Sequence, residues 1–154
     1  METALSEPAG PGPSPARVLI VDDDPAMRLV CSTNLQAAGL NVLEAGDGRR
    51  GLALARTHRP DLVLTDVTMP RLDGFELAEA LRSNEDTRLI PLIFLSGETA
   101  GSHQKRATEL GAFAYVTKPF DPTQLASIVA NALAHARKRR PPIARRRLKR
   151  VRPD

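Results

Sequence analysis

The chain alternates short runs of consecutive apolar residues with segments in which apolar residues recur every three or four positions. The continuous runs lie at residues 18–21, 62–64 and 92–95. This continuously apolar pattern is typical of strands buried on both faces of a parallel sheet. Two further strand candidates, at 41–45 and 114–117, contain more polar residues and are predicted to lie nearer the sheet edges.

The segments between the strands carry helix signals. Four of the predicted helices follow an aspartate that can act as an N-cap, and in two of them proline occupies the first turn. These cap candidates are Asp24, Asp47, Asp73 and Asp121. The helix after Asp121 has a clear apolar stripe from Leu125 to Leu133, whereas the segment 102–110 is mostly polar and is the weakest helix candidate.

Five strands alternating with five helices predict an α/β fold in which helices cover both faces of a doubly wound parallel sheet. Ligands of such sheets bind beyond the carboxyl ends of the strands. The residues that close each predicted strand are therefore the first candidates for chemistry.

Those strand ends carry charged and hydroxyl groups. The first strand runs into Asp22 and Asp23, the third ends in Asp66, the fourth in Ser96, and the fifth is followed by Lys118. Clustered carboxylates repel one another, so a bound cation must offset their assembly, and Mg²⁺ prefers such oxygen ligands. A lysine adds a charge that can meet an anion. Together these groups predict a phosphoryl site.

Four segments of the chain, VDDDP, LVLTDVTMPRLDG, PLIFLSGE and YVTKPF in this order, resemble the receiver domain of CheY-like response regulators. The resemblance covers about residues 17–136. It implies a five-stranded flavodoxin-like fold with strand order 2-1-3-4-5. It also implies a signalling switch of a two-component system, which accepts a phosphoryl group from a sensor histidine kinase or a phosphotransfer protein.

The resemblance assigns the acidic residues their roles. Asp66 is expected to be the nucleophile that carries the phosphoryl group. Asp22 and Asp23 are expected to hold Mg²⁺ together with Asp66, and the main-chain carbonyl of Thr68 is expected to complete the protein ligands. Asp24 falls just outside the acidic pair and is better explained as a helix cap.

The resemblance also assigns the groups that respond to the phosphoryl group. Ser96 and Lys118 are expected to bind it, with the Lys118–Pro119 peptide bond in the cis form. Tyr115 is expected to be the switch aromatic that moves with Ser96. The output surface for an unknown downstream protein is predicted at the segment 102–110, the fifth strand and the last helix.

A rival class of proteins also phosphorylates an aspartate at a strand end. Phosphatases of the haloacid dehalogenase type place a second aspartate two residues after the nucleophile, and Thr68 occupies that position here. The sequence therefore predicts a switch that catalyses only its own phosphorylation and dephosphorylation, and not a metabolic enzyme.

The composition indicates how many domains the chain contains and in which compartment it is expected. At 154 residues and 42% apolar, the chain suits one domain. Its one cysteine, Cys31, excludes an internal disulfide and fits a reducing compartment. No apolar run approaches the ~20 residues of a membrane span. Residues 1–16, rich in proline and glycine, predict a disordered leader and not a signal peptide, so we expect a cytoplasmic protein.

Charge divides the chain into two unlike parts. Of its 22 basic and 18 acidic residues, ten basic and one acidic lie in 137–154, which leaves 12 basic and 17 acidic in residues 1–136. The basic segment 137–154 has no aromatic residue, and the chain shows no helix-turn-helix or zinc pattern. A solvated, disordered tail and a contact with nucleic acid, anionic lipid or an acidic partner all remain open.

Overall fold

The computed structural model describes residues 14–97 and 101–139. Within them, strands and helices alternate: β1 (Arg17–Val21), α1 (Pro25–Ala37), β2 (Asn41–Ala45), α2 (Gly48–His58), β3 (Leu62–Asp66), α3 (Gly74–Arg82), β4 (Leu92–Ser96), α4 (Gly101–Glu109), β5 (Ala114–Thr117) and α5 (Pro122–Arg139). The strands form one parallel sheet in the order β2-β1-β3-β4-β5. The predicted fold class and strand order are confirmed.

The sheet separates two apolar clusters because successive side chains of a strand point to opposite faces. Leu19 and Val21 of β1 pack with residues of α2, α3 and α4 on one face. Val18 and Ile20 pack with α1 and α5 on the other. Every residue of β3 and β4 is buried, which explains the continuous apolar runs at 62–64 and 92–95.

Aspartates begin the helices as predicted. Asp24 accepts a hydrogen bond from Ala26 N at 3.0 Å, and Asp47 accepts one from Arg50 N at 2.9 Å. Asp73 and Glu76 form a capping box at the start of α3. These caps satisfy backbone N–H groups that have no partner within the helix.

The last helix runs into the segment 137–154, which the sequence marked as a basic tail. α5 continues to Arg139, so the first three residues of the expected basic tail are helical. Arginine and lysine are good helix formers, and the next proline in the chain is Pro141. Residues 1–13 of the predicted leader and 140–154 of the tail lie outside the described residues. No described helix is long and apolar enough to cross a membrane.

Arg82, the last residue of α3, joins three segments at the amino-terminal edge of the sheet. Its Nη1 donates to the carbonyl oxygens of Arg88 at 2.9 Å and Ile90 at 2.7 Å, just before β4. Its Nε donates to the carbonyl oxygen of Leu110 at 2.9 Å, just after α4. Burial lowers the pKa of this guanidinium, and its Nε and Nη1 atoms both donate to carbonyl oxygens.

Candidate functional site

The carboxyl ends of four strands bring the predicted site residues to one edge of the sheet. Asp22 follows β1, Asp66 closes β3, Ser96 closes β4, and Lys118 follows β5. The register aligns Ser96 with Thr117, and Lys118 N donates to the carbonyl oxygen of Ser96 at 2.8 Å. The ends of β4 and β5 are thus hydrogen-bonded to each other beside the acidic residues.

Three carboxylates form a cluster at this edge. Asp22, Asp23 and Asp66 each offer an oxygen atom, and these atoms lie within 4.8 Å of one another. Asp22 is 1% exposed and Asp66 7% exposed, whereas Asp23 is open to solvent. A half-open set of hard oxygen donors fits a divalent cation such as Mg²⁺, which keeps several waters when proteins bind it.

Lys118 partly neutralises the two buried carboxylates. Its Nζ lies 3.3 Å from Asp66 Oδ2 and 3.4 Å from Asp22 Oδ2. The Lys118–Pro119 peptide bond is cis, the isomer that the resemblance implied. The ammonium group therefore stands where an anion bonded to Asp66 would meet it.

The pKa values of this cluster reflect competition between burial and charge. Burial raises the pKa of Asp66, and the nearby Asp22 carboxylate raises it further, while Lys118 acts in the opposite direction. Burial alone would lower the pKa of Lys118, but Asp22 and Asp66 outweigh that effect, so the pKa is raised. The lysine therefore stays charged beside a carboxylate whose charge is unfavourable.

The loop after β3 is fastened on both sides of Thr68, which is exposed two residues after Asp66. Gly74 N donates to the carbonyl oxygen of Val67 at 2.8 Å, and a Cβ atom on Gly74 would lie only 2.2 Å from the carbonyl oxygen of Asp66. Only glycine fits there. Arg71, at φ 69°, pairs with Asp47 at 3.1 Å. The loop therefore leaves Asp66 along a defined path.

The two residues expected to act as switches lie on neighbouring strands. Ser96 is buried at the end of β4. Tyr115 is half-buried in β5, opposite Phe94, and packs against the apolar cluster that contains α4. The register thus links both residues to the strand pair that adjoins α4.

Arg28, which no motif in the sequence marks as a site residue, also contacts the acidic turn. Its Nη1 donates to the main-chain carbonyl oxygen of Asp22 at 2.6 Å, and its Nε donates to Glu44 Oε1 at 3.3 Å. The signal available in the sequence was a basic residue in the first turn of the helix that follows the acidic pair.

Comparison with protein families gives one clear match. The family model described as "Response regulator receiver domain" matches residues 18–130. The matched segment contains every predicted site residue from Asp22 to Pro119.

Similar curated proteins are regulators longer than this chain. The DNA-binding dual master transcriptional regulator RpaA of Synechocystis sp. is 42% identical over 105 residues, covering 68% of this chain and 44% of RpaA. The transcriptional regulatory protein PdtaR of Mycobacterium tuberculosis is 36% identical over 124 residues, covering 80% of this chain and 59% of PdtaR. The chain spans about half the length of these relatives.

Solved structures of comparable size superpose on the described fold. Chemotaxis protein CheY4 of Vibrio cholerae has a TM-score of 0.73 and 36% identity, covering 77% of this chain and 98% of that chain. A CheY-like receiver domain protein of Methanospirillum hungatei has a TM-score of 0.76 and 29% identity, covering 81% of this chain and 98% of that chain.

Proposed function

Because this chain belongs to the response regulator receiver family of two-component systems, we propose that it is a switch set by phosphorylation of Asp66. The strand order and the likeness to CheY4 agree with the flavodoxin-like fold of this family. The observation that carries the proposal is the position of Asp66, at the end of β3 between the Asp22 carboxylate and the Lys118 ammonium group.

The proposed reaction transfers a phosphoryl group to an oxygen of the Asp66 carboxylate. A P–O bond forms to this oxygen, and the bond from phosphorus to the donor breaks, so the donor leaves with the electron pair. Asp22, Asp23, Asp66 and the main-chain carbonyl of Thr68 would hold Mg²⁺. When bound, Mg²⁺ supplies positive charge to the phosphoryl oxygens.

Lys118 and Ser96 act after the transfer. The Lys118 ammonium group, now paired with Asp66, bonds a phosphoryl oxygen and stabilises the acyl phosphate. The Ser96 hydroxyl bonds a second phosphoryl oxygen, and Tyr115 moves with Ser96. The changed surface consists of α4, β5 and α5, and it contacts a downstream protein.

The family is a class of signalling switches and not of metabolic enzymes, and membership implies a histidine kinase as partner. The finer proposal is that a sensor histidine kinase or phosphotransfer protein in the cytoplasm supplies the phosphoryl group. The chain would itself catalyse only its loading and slow hydrolysis, since exposed Thr68 supplies no general acid next to Asp66.

The test is phosphorylation of the full-length protein by a small acyl phosphate with Mg²⁺. Mass spectrometry of the intact protein is expected to show one added phosphoryl group, sensitive to hydroxylamine. Asp66→Asn is expected to abolish the gain. Asp86→Asn is a matched control, because Asp86 is exposed and pairs with Arg59, away from the site. Equal phosphorylation of Asp66→Asn would contradict the proposal.

A second candidate function concerns the basic segment 137–154, which follows a portion of opposite formal charge. We propose that it contacts a polyanion, with nucleic acid as the first candidate. The supporting observation is this charge asymmetry together with the exposed Arg137 and Lys138 at the end of α5.

A further inference from the structure

The Arg28 side chain joins the acidic turn to the neighbouring strand. Its Nη1 lies 2.6 Å from the carbonyl oxygen of Asp22, and its Nε lies 3.3 Å from Glu44 Oε1 on β2. The Arg28 side chain is 23% exposed and that of Glu44 42% exposed. The Arg28 side chain therefore bridges the acidic turn and β2 with most of its surface covered.

Asp22 is fixed at three further points. Its N–H donates to the carbonyl oxygen of Ala45 at 3.1 Å, and its Oδ1 accepts a hydrogen bond from Asp24 N at 2.9 Å. Lys118 approaches the other carboxylate oxygen. Arg28 contributes the contact that holds the peptide unit between Asp22 and Asp23, from which both carboxylates of the acidic pair extend.

The guanidinium also lies close to the turn after β2. A Cβ atom on Gly46 would lie 3.3 Å from Arg28 Nη1, which is tighter than ordinary van der Waals contact. Glycine at this position leaves room for the arginine, so the turn and the side chain fit each other.

We propose that Arg28 is a positioning residue for the acidic pair. Through the carbonyl of Asp22 it sets the direction in which the Asp22 and Asp23 carboxylates face Asp66, and Glu44 orients the arginine. This inference rests on the proposed function, because it concerns the Mg²⁺ site of that function. Groups that orient metal ligands without touching the metal commonly change metal affinity when they are replaced.

The charge of Arg28 and its hydrogen bond to the carbonyl oxygen of Asp22 are expected to change Mg²⁺ affinity in opposite directions. A positive charge near the acidic cluster disfavours a second cation by Coulomb repulsion. Removing the charge should strengthen Mg²⁺ binding, while removing the contact should weaken it. Arg28→Lys keeps the charge but loses the planar fork that bonds two acceptors at once. Comparing Arg28→Lys with Arg28→Gln, which removes the charge as well, therefore separates the two effects.

The experiment measures the Mg²⁺ dissociation constant of unphosphorylated full-length protein by calorimetric titration. Arg28→Gln is expected to weaken binding roughly ten-fold, in the range of such orienting groups. Arg28→Lys keeps the repelling charge while losing the two-acceptor contact, so it is expected to weaken binding at least as much. Glu44→Gln leaves the hydrogen bond from Arg28 to Asp22 in place and is expected to weaken it by less. Arg59→Gln is the matched control and is expected to change nothing, because Arg59 pairs only with exposed Asp86 among its described salt bridges.

Unfolding of each variant without Mg²⁺, followed by circular dichroism, separates positioning from general stability. A lower thermal midpoint with unchanged Mg²⁺ affinity in Arg28→Gln would overturn the inference, and so would tighter binding. If Arg28→Gln does not fold, unchanged affinity in both Arg28→Lys and Glu44→Gln would overturn it. Failure of the wild-type protein to bind Mg²⁺ would instead contradict the proposed function itself.

Discussion

At the residue scale, Lys118 lies between two carboxylates that repel each other. Its contacts at 3.3 and 3.4 Å each correspond to an attraction of roughly 5 kcal/mol before desolvation, at the dielectric constant typical near a protein surface. Yet the pKa of Asp66 is raised, because burial and the Asp22 carboxylate outweigh the lysine. When no metal ion is bound, the charge of Asp66 therefore lowers the free energy of unfolding.

This balance predicts that Asp66→Asn stabilises the protein in the absence of Mg²⁺. We expect a gain on the order of 1 kcal/mol at neutral pH, the scale of one partly offset charge contact. The folded-state pKa lies above the unfolded value of about 3.9, so the penalty is present above the folded pKa. It disappears as the pH falls below the unfolded value, where the carboxyl is neutral in both states.

Urea unfolding of wild-type and Asp66→Asn proteins between pH 4 and 8, with a chelator present, checks this prediction. Their difference in unfolding free energy should shrink as the pH falls. Asp86→Asn controls for the loss of an exposed carboxylate. A wild-type protein more stable than Asp66→Asn at neutral pH would show that Lys118 outweighs burial.

Asp22, Asp66, Ser96 and Lys118 could be placed together from the sequence because each one directly follows or closes a predicted strand. Parallel strands bring their carboxyl ends together, so sequence position alone brings Asp22, Asp66 and Lys118 to one edge. Arg28 could not be found in this way. Its role depends on the path of α1, which directs the side chain back to the carbonyl of Asp22.

At the element scale, α4 has the fewest anchors in the apolar cores. Among its nine residues only Ala107 is buried. Its contacts with α3 are instead made through Phe75, whose ring lies 5.5 Å from the His103 ring and 5.8 Å from the Arg106 guanidinium carbon. Arg106 also pairs with Glu79. One half-buried aromatic side chain therefore holds much of the α3–α4 contact.

We predict that Phe75→Ala loosens α4 more than any other helix. The substitution removes the ring contacts with His103 and Arg106 as well as the contact with Phe94 at 5.1 Å. The loss of unfolding free energy should be about 1–3 kcal/mol, below the value for a fully buried phenylalanine.

Hydrogen exchange followed by mass spectrometry should show the largest increase in residues 101–110. Phe113→Ala is a matched control, because the Phe113 ring contacts His135 of α5. Equal increases in α3 and α4 would indicate a general loss of stability. Exchange in α4 that stays at the wild-type rate would contradict the role of Phe75.

The weakness of α4 was visible in the sequence, but its actual contacts were not. The segment 102–110 contains few apolar residues, which correctly marked it as the poorest helix. Nothing in that pattern indicated that His103 and Arg106 would pack on a ring of α3. Such pairings depend on the angle between helices, and hydrophobic periodicity does not determine it.

At the scale of the whole molecule, basic and acidic residues are distributed unevenly along the chain. Residues 1–136 contain 12 basic and 17 acidic residues, and residues 137–154 contain ten basic and one acidic. The acidic cluster lies at the carboxyl edge of the sheet, whereas α5 leads away to the basic segment from Arg137 onward. The charge division was apparent from the sequence.

The charge asymmetry predicts salt-dependent binding of nucleic acid by the full-length protein. Residues 140–154 contain seven basic residues. If about five of them neutralise phosphates of a duplex, the logarithm of the binding constant should fall with the logarithm of salt concentration at a slope near −4.5. Removing residues 140–154 keeps α5 whole and should remove most of this binding.

Fluorescence anisotropy with labelled duplex DNA, at two or more salt concentrations, measures the slope. Single-stranded RNA and anionic vesicles serve as competing polyanions, and preferential binding of either would redirect the second candidate function. Equal affinity of full-length and truncated proteins for all three would contradict a role for the segment 140–154.

The hydrogen bonds of Arg82 fix one end of α4. The Arg82 guanidinium donates a hydrogen bond to the carbonyl oxygen of Leu110, which follows the end of α4 remote from the acidic cluster. It also donates to the carbonyl oxygens of Arg88 and Ile90. If α4 were displaced while these hydrogen bonds remained, it would rotate about the end that Arg82 holds. Nine residues span about 13 Å, so a tilt of about 10° would carry the far end roughly 2 Å. The amplitude is greatest at Gly101, the end of α4 nearer to Ser96 along the chain.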